Sequence, residues 1–268
     1  MVRRLKSLST RTGREEQSTL LLEGTHLLQE ALKKTFAPRE VIATSSWIKE
    51  NQSIISSLPE DCVLRQVSDS VLLACLTTKK PDGVASILPL SALPKITAKE
   101  DFVLALDRIQ DPGNIGTLFR TALAADIDCI LLALGADPLS QKVMRSSAGA
   151  VLHLPFLRYG STENIAIKDF VDKLEDFSGK GHQIVASVAP QSKNLSKIIP
   201  YWDLDWSKPT VLVLGNEGSG LHPLVKACCT EEITLPHSKQ VESLNVASAA
   251  VPMLFERRRS KIVTKCIS

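Results

Sequence analysis

The 268-residue chain has no C-x-x-C pair among its six cysteines and no ligand-like spacing among its five histidines. The cysteines (62, 75, 129, 228, 229 and 266) mostly lie in apolar runs. Buried, reduced thiols are therefore expected, and no metal and no disulfide framework. No apolar run approaches the roughly 18 residues needed to cross a bilayer, so no membrane span is expected. The N-terminus is basic and polar where a secretory signal would carry an apolar core, which points to the cytoplasm. Arg3, Arg4, Arg11 and Arg14 leave organellar targeting open. Internal repeats and low-complexity segments are missing too.

What is present is ordinary for a globular protein: 44 % hydrophobic and 23 % charged residues, in a chain long enough for one large or two ordinary domains. The net charge of +3 is unevenly placed. Residues 1–14 and 257–268 each hold five cations and no acid, which leaves −7 on the chain between them. Basic ends on an acidic body suit phosphate-seeking arms; solubilising tails with no partner are the plainer reading.

Taken in order, a basic arm (1–14) precedes strands and helices that alternate over 15–90, a small α/β unit. Thr25 is placed to cap its first helix, and further helices are expected over 47–58 and 69–75. Pro89, Pro94 and polar residues make 91–100 a linker. A second α/β domain is expected over 101–258, with a basic tail at 259–268. Its strands are read at 102–106, 129–134, 151–154, 183–188 and 211–214, and its helices at 140–147 and 164–177. Continuous apolar strands separated by helices predict a mostly parallel sheet covered on both faces. A helix starting near Asn114 turns Ile115, Leu118, Phe119 and Ala122 inward, which leaves Arg120 off the apolar stripe.

The most informative stretch is 211–256. An apolar run, Val211–Leu214, breaks into Gly215-Asn216-Glu217-Gly218-Ser219-Gly220-Leu221. Three glycines in six residues permit positive φ and close approach to bare backbone. Ile233-Thr234-Leu235-Pro236 follows, then Glu242-Ser243-Leu244-Asn245-Val246, which opens a helix whose apolar face is expected to hold Leu244, Ala247, Val251, Leu254 and Phe255. Two strand ends and a helix start make a concave site that suits a polar molecule with an adenine-like edge.

These residues resemble motifs two and three of the SpoU (TrmH-like) RNA ribose 2′-O-methyltransferases of the knotted SPOUT class. The segment Asp111-Pro112-Gly113-Asn114-Ile115-Gly116, with Arg120-Thr121-Ala122, is similar to motif one. Arg145–Ala150 and Leu154-Pro155 match the linking region, and residues 15–90, with Leu22-Glu23-Gly24, resemble a ribosomal-protein-like substrate-binding domain. About 240 residues are covered. The resemblance implies a deep trefoil knot in the C-terminal third, S-adenosylmethionine as cofactor and RNA as substrate, with rRNA favoured over tRNA. It also implies a homodimer in which Arg120 serves the neighbouring subunit's cofactor.

Carried over by position, the cofactor contacts are Ser187, Gly215, Asn216, Glu217, Gly220, Ile233, Leu235, Leu244 and Asn245. Arg120 is the catalytic candidate, with Asn114, Glu217, Ser243 and Asn245 around it. Plainer roles stand beside these: a surface salt bridge for Arg120, helix caps for Asn114 and Ser243, and a hold on loop amides for Glu217. The chain departs from the family at His237-Ser238-Lys239, where Met-x-Gly is usual, and at Pro252 inside the last helix. Two other functions remain open. A catalytically silent RNA-binding or ribosome-assembly factor would bind RNA without methyl transfer. A nucleotide-binding oxidoreductase is disfavoured, because G-x-x-G-x-G near the C-terminus is not the fingerprint of that fold.

Overall fold

The computed structural model describes residues 1–34, 36–96, 100–160, 162–190 and 198–267, with the side chains of 264–267 excepted. The chain forms two compact units. One comprises residues 1–94 together with 137–153, and the other residues 95–136 and 154–268.

The first unit is built on four strands: β1 (Thr19–Glu23), β2 (Glu40–Thr44), β3 (Val63–Val67) and β4 (Val84–Pro89). Their order is β1-β4-β2-β3, antiparallel except for the parallel β2–β3 pair. One face buries Leu21, Ile42, Ala85 and Ile87 under Leu5, Leu8, Leu72 and Cys75. The other buries Val41, Ala43 and Val84 under Leu28 and Trp47. Each leucine, isoleucine or valine withdrawn from water here contributes about 1.5–3 kcal/mol.

The basic N-terminal residues are part of this unit, folded as helices Val2–Ser7 and Arg11–Gln17. Arg14 is 2 % exposed. It donates to the carbonyls of Leu8 and Ser9 and pairs with Asp137. That bond, with Gln141 to the Leu21 carbonyl (2.7 Å), Arg145 to Glu23 (3.1 Å) and His153 to Glu30 (2.7 Å), shows why residues 137–153 group with the first unit.

The second unit holds seven strands: β5 (Phe102–Asp107), β6 (Cys129–Ala133), β7 (Phe156–Tyr159), β8 (Gln183–Ser187), β9 (Ile198–Pro200), β10 (Thr210–Leu214) and β11 (Glu231–Thr234). Their order is β7-β6-β5-β10-β8-β11-β9, and every pairing is parallel. All residues of β5, β6 and β10 are buried, so apart from Asp107 and Thr210 at strand ends these strands read as apolar runs without alternation. Helix Glu163–Gly179 covers one face with Ile167, Phe170, Leu174 and Phe177, spaced one helical turn apart.

Local readings needed five corrections. Thr25, expected to cap a helix, is instead the first residue of helix Thr25–Lys33, with Gly24 at the cap position. The helix expected over 47–58 is two, Ser45–Glu50 and Gln52–Ser56, broken at Asn51. Residues 150–152 form a 3₁₀ turn rather than the strand expected at 151–154, and the strand is β7, beyond Pro155. The short strand β9 had no pattern to reveal it. The last helix, Val246–Ile267, buries Ala247, Ala250, Met253, Leu254 and Arg257, whereas Leu244, Val251 and Phe255 are exposed. Arg257 itself is buried, donates to the Trp206 carbonyl and lies over the Phe102 ring, so burial pushes its pKa down. Pro252 leaves the Ser248 carbonyl without its helical N–H partner, a cost of about 3 kcal/mol that burial of Ala250, Met253 and Leu254 offsets.

Gly135, just past β6, has φ +75° and packs on the backbone of Ile109. A Cβ there would stand 2.1 Å from the Ile109 carbonyl oxygen, whereas one at Gly181 (φ +89°) would meet nothing within 4 Å. Gly181→Ala should thus cost only the left-handed strain, about 1–2 kcal/mol. Gly135→Ala should cost clearly more. Thermal unfolding checks this, at about 2–4 °C per kcal/mol for a chain of this size.

Candidate active site

Because the second sheet is wholly parallel, the carboxyl ends of its strands share one edge. The chain runs β5, β6, β7 outward on one side and then crosses to β8 on the other side of β10. Strand order thus reverses beside β5, where loops part and open α/β sheets bind ligands. The loops after β5, β10, β8 and β11, four adjacent strands, carry the site residues expected from the sequence.

Motif one opens helix Pro112–Ala124. Its N-cap is Asp111, whose carboxylate accepts from the Asn114 N–H (2.9 Å), and Pro112 sits at the first helical position. The capping role is therefore taken, and the Asn114 side chain turns to other partners. Its Nδ2 donates to Glu217 Oε1 (3.0 Å), and its Oδ1 accepts from Asn245 Nδ2 (2.8 Å). Glu217 also accepts from the backbone N–H groups of Gln110 (3.2 Å) and Asp111 (3.3 Å). Asn245 caps the last helix by accepting from the N–H groups of Ala247 (2.9 Å) and Ser248 (3.2 Å). One chain of hydrogen bonds thus ties all three motifs together. Burial would raise the Glu217 carboxyl, but the Asn114 amide and these backbone donors outweigh it and hold its pKa below the usual carboxylate range.

The glycine loop closes on itself. Asn216 and Gly220 exchange backbone hydrogen bonds (3.1 and 3.0 Å), and Asn216 Oδ1 accepts from the N–H groups of Gly218 and Ser219 (3.0 Å each). A Cβ on Gly215 would stand 2.6 Å from the Gly220 carbonyl carbon, and Gly220 has φ +68°. Both glycines are therefore needed for the turn itself, and several loop amides expected to face a ligand are satisfied within it.

Two residues that the sequence reading passed over hold this loop. Asp107, fully buried at the end of β5, accepts from Arg108 Nε (2.8 Å) and the His222 N–H (2.6 Å). Arg108, at φ +57°, donates through Nη2 to the Gly220 carbonyl (3.4 Å), and its own carbonyl accepts from Asn216 Nδ2 (2.9 Å). Hydrogen bonding to Asp107 raises the Arg108 pKa. An acid–base pair directly after a buried strand was the available signal.

The remaining residues divide. Ser187 ends β8 in register with Ile233 of β11, whose carbonyl accepts from the Val188 N–H (2.9 Å). Leu235 follows β11, and its carbonyl bonds the His237 ring (3.0 Å). Ser238 closes the divergent loop by accepting from the Val241 N–H through its carbonyl (3.2 Å) and from the Gln240 N–H through its hydroxyl (3.2 Å), so a turn forms there without glycine. Ser243 precedes the last helix, does not cap it, and makes no hydrogen bond among the described residues. Arg120 is exposed on helix Pro112–Ala124, again with no partner among the described residues. It lies six residues past Asn114, about 9 Å along the axis and on another face, so it is not brought to the Asn114–Glu217–Asn245 chain.

Residues 101–255 match the model of the SpoU rRNA Methylase family, and residues 1–86 that of the MRM3-like substrate binding domain. An uncharacterised tRNA/rRNA methyltransferase of Synechocystis sp. is 36 % identical, over 97 % of this chain and 91 % of its own. The 23S rRNA (guanosine(2553)-2′-O)-methyltransferase RlmP of Bacillus subtilis is 31 % identical over 94 % of each. The crystal structure of an AdoMet-bound rRNA methyltransferase from Sinorhizobium meliloti superposes with a TM-score of 0.77 at 26 % identity, over 96 % of this chain and 94 % of that one. The chain belongs to the SpoU rRNA Methylase family.

Proposed function

We propose that this protein methylates a ribose 2′-hydroxyl of 23S-type ribosomal RNA, using S-adenosylmethionine, as a cytoplasmic homodimer. The observation that carries the reading is the Asn114–Glu217–Asn245 chain, which holds three motif loops at the carboxyl edge of the sheet. The likeness to RlmP over nearly the whole chain supports the substrate class. The reading includes the family's trefoil threading of the C-terminal third. No helix among the described residues is long and apolar enough to cross a membrane.

The residues fit the cofactor by their chemistry. Leu235 is partly exposed just after the buried Ile233 at the strand end, and Leu244 is exposed although apolar, as a side chain awaiting a planar base would be. Ser187, Gly215, Asn216, Glu217, Gly220 and Asn245 complete the set. When bound, S-adenosylmethionine supplies an electrophilic methyl group. The chain's task is to hold a ribose oxygen in line with it and to leave the hydroxyl proton a route to solvent. Asn114 and Asn245 are neutral amides, and Glu217 is held ionised by its donors, so these three orient rather than take the proton. The guanidinium fork of Arg120, a donor with no accepting atom, clamps an RNA phosphate and orients the hydroxyl. Its distance from the chain of amides on its own subunit suits service at the neighbour's site. Ser243 borders the same loop and contacts the ribose or that arginine.

The dimer reading rests on a second apolar stripe. Val251 (39 % exposed), Phe255 (41 %) and Ile262 (52 %) recur four and seven residues apart along the last helix, away from its buried face. Such a stripe is costly to leave in water, and a second copy would cover it.

Arg120→Ala should lower labelled-methyl transfer to unmodified rRNA by at least about 100-fold. Cofactor affinity and thermal stability should hold, because the side chain has no described partner to lose. Undiminished transfer would remove Arg120 from the site. Phe255→Glu should convert the dimer to monomer in sedimentation at micromolar concentration and reduce transfer with it.

A further inference from the structure

The first unit contains a cavity of about 330 Å³ that the methyl-transfer chemistry does not use. It lies at the edge of the four-stranded sheet where β1, β2 and β3 begin and β4 ends, beside helix Val2–Ser7. Three arginines line it, Arg4, Arg39 and Arg65, around a single carboxylate, Glu40, with Gln17 and Thr19 as neutral polar neighbours.

Glu40 is nine-tenths buried. Arg4 Nη2 donates to its Oε2 at 2.5 Å and Arg65 Nε to its Oε1 at 2.6 Å. One arginine would neutralise this carboxylate; two are fixed on it and a third stands by, which leaves a local charge of +2 among the lining residues. The pairing also leaves donors over. Arg4 keeps Nε and Nη1, Arg65 keeps both Nη groups, and the Arg39 side chain has no partner among the described residues. Guanidinium forks held in place by a buried carboxylate offer preorganised donors, the geometry that phosphate oxygens accept in pairs.

We propose that this cavity is a phosphate-binding site that grips the backbone of the substrate RNA. The inference rests on the RNA-methylating function proposed above and assigns to the first unit a definite place of contact. The buried Glu40 acts as a positioning residue: it orients Arg4 and Arg65 and touches no RNA. Phosphodiesters are recognised here by charge and donor geometry, so the contact contributes affinity without base selectivity.

The test is equilibrium binding of the full-length protein to an unmodified 23S rRNA transcript across a salt series. Wild type is compared with Arg39→Ala, Arg39→Ala/Arg65→Ala and, as control, Lys49→Ala, an exposed cation outside the cavity. The double variant should bind roughly tenfold more weakly at about 0.1 M salt, and each arginine removed should flatten the salt slope by about 0.7–0.9. Its KM for RNA should rise in proportion while kcat at saturation and S-adenosylmethionine affinity stay unchanged. Lys49→Ala should match wild type. Arg39→Ala removes no described contact, so its effect reads the site without disturbing the fold. Wild-type RNA binding with unchanged affinity and slope in both arginine variants would overturn this inference and leave the function standing. Wild type that binds S-adenosylmethionine but not RNA would overturn both.

Discussion

The Glu217 carboxylate is the interaction on which the candidate site depends. It lies at the N-terminal end of helix Pro112–Ala124, where unpaired backbone N–H groups and the helix dipole favour negative charge, and it takes the N–H groups of Gln110 and Asp111 and the Asn114 amide together. Through Asn114 the hold extends to Asn245, which in turn caps the last helix. Segments over a hundred residues apart in sequence are thereby held in one geometry. Hydrogen bonds to a charged acceptor are stronger than neutral ones, and removing the acceptor would leave several donors unpaired. On the other side of the glycine loop, Asp107 and Arg108 do comparable service from the end of β5.

The parallel sheet and the grouping of motifs at its carboxyl edge could be read from the chain because long apolar strands and glycine-broken turns leave strong local signals. The pairing partners could not. That Asp111 and not Asn114 caps the helix, or that Asn245 and not Ser243 does so at the last one, depends on which side chain faces its own helix, and adjacent polar residues look alike in a sequence. The face of the last helix was misassigned for a related reason: Ala247, Ala250, Met253 and Leu254 on one side and Val251 and Phe255 on the other are all apolar, and periodicity alone cannot rank two apolar stripes. Asp107 was hidden because a buried acid at a strand end gains meaning only once its donors are seen.

Charge reading was informative about composition but not about placement. The arginines near both ends are largely engaged within the protein: Arg14 is buried on Asp137, Arg257 on the Trp206 carbonyl, Arg258 pairs with Asp126 and Arg259 with Glu256. Arg4 shares Glu40 with Arg65, which comes from a different strand. A buried guanidinium with carbonyl partners supports the fold and has little left for an RNA phosphate. The cations available to a ligand are therefore those that geometry leaves with free donors, and these come from scattered positions in the sequence.

The most direct measurement of the central claim is amide hydrogen exchange of residues 108–114 in wild type and Glu217→Gln, at neutral pH and in mild acid. Because the folded pKa of Glu217 is depressed, its stabilising contribution is complete above the ordinary glutamate value near 4.5 and fades as pH falls through the folded value. The account predicts that Glu217→Gln loses protection at Gln110 and Asp111 at neutral pH, because their N–H groups lose the charged acceptor. The difference from wild type should shrink as acid protonates the carboxyl. Equal protection in the two proteins at neutral pH would contradict it, and the three loops would then be held by something other than this carboxylate.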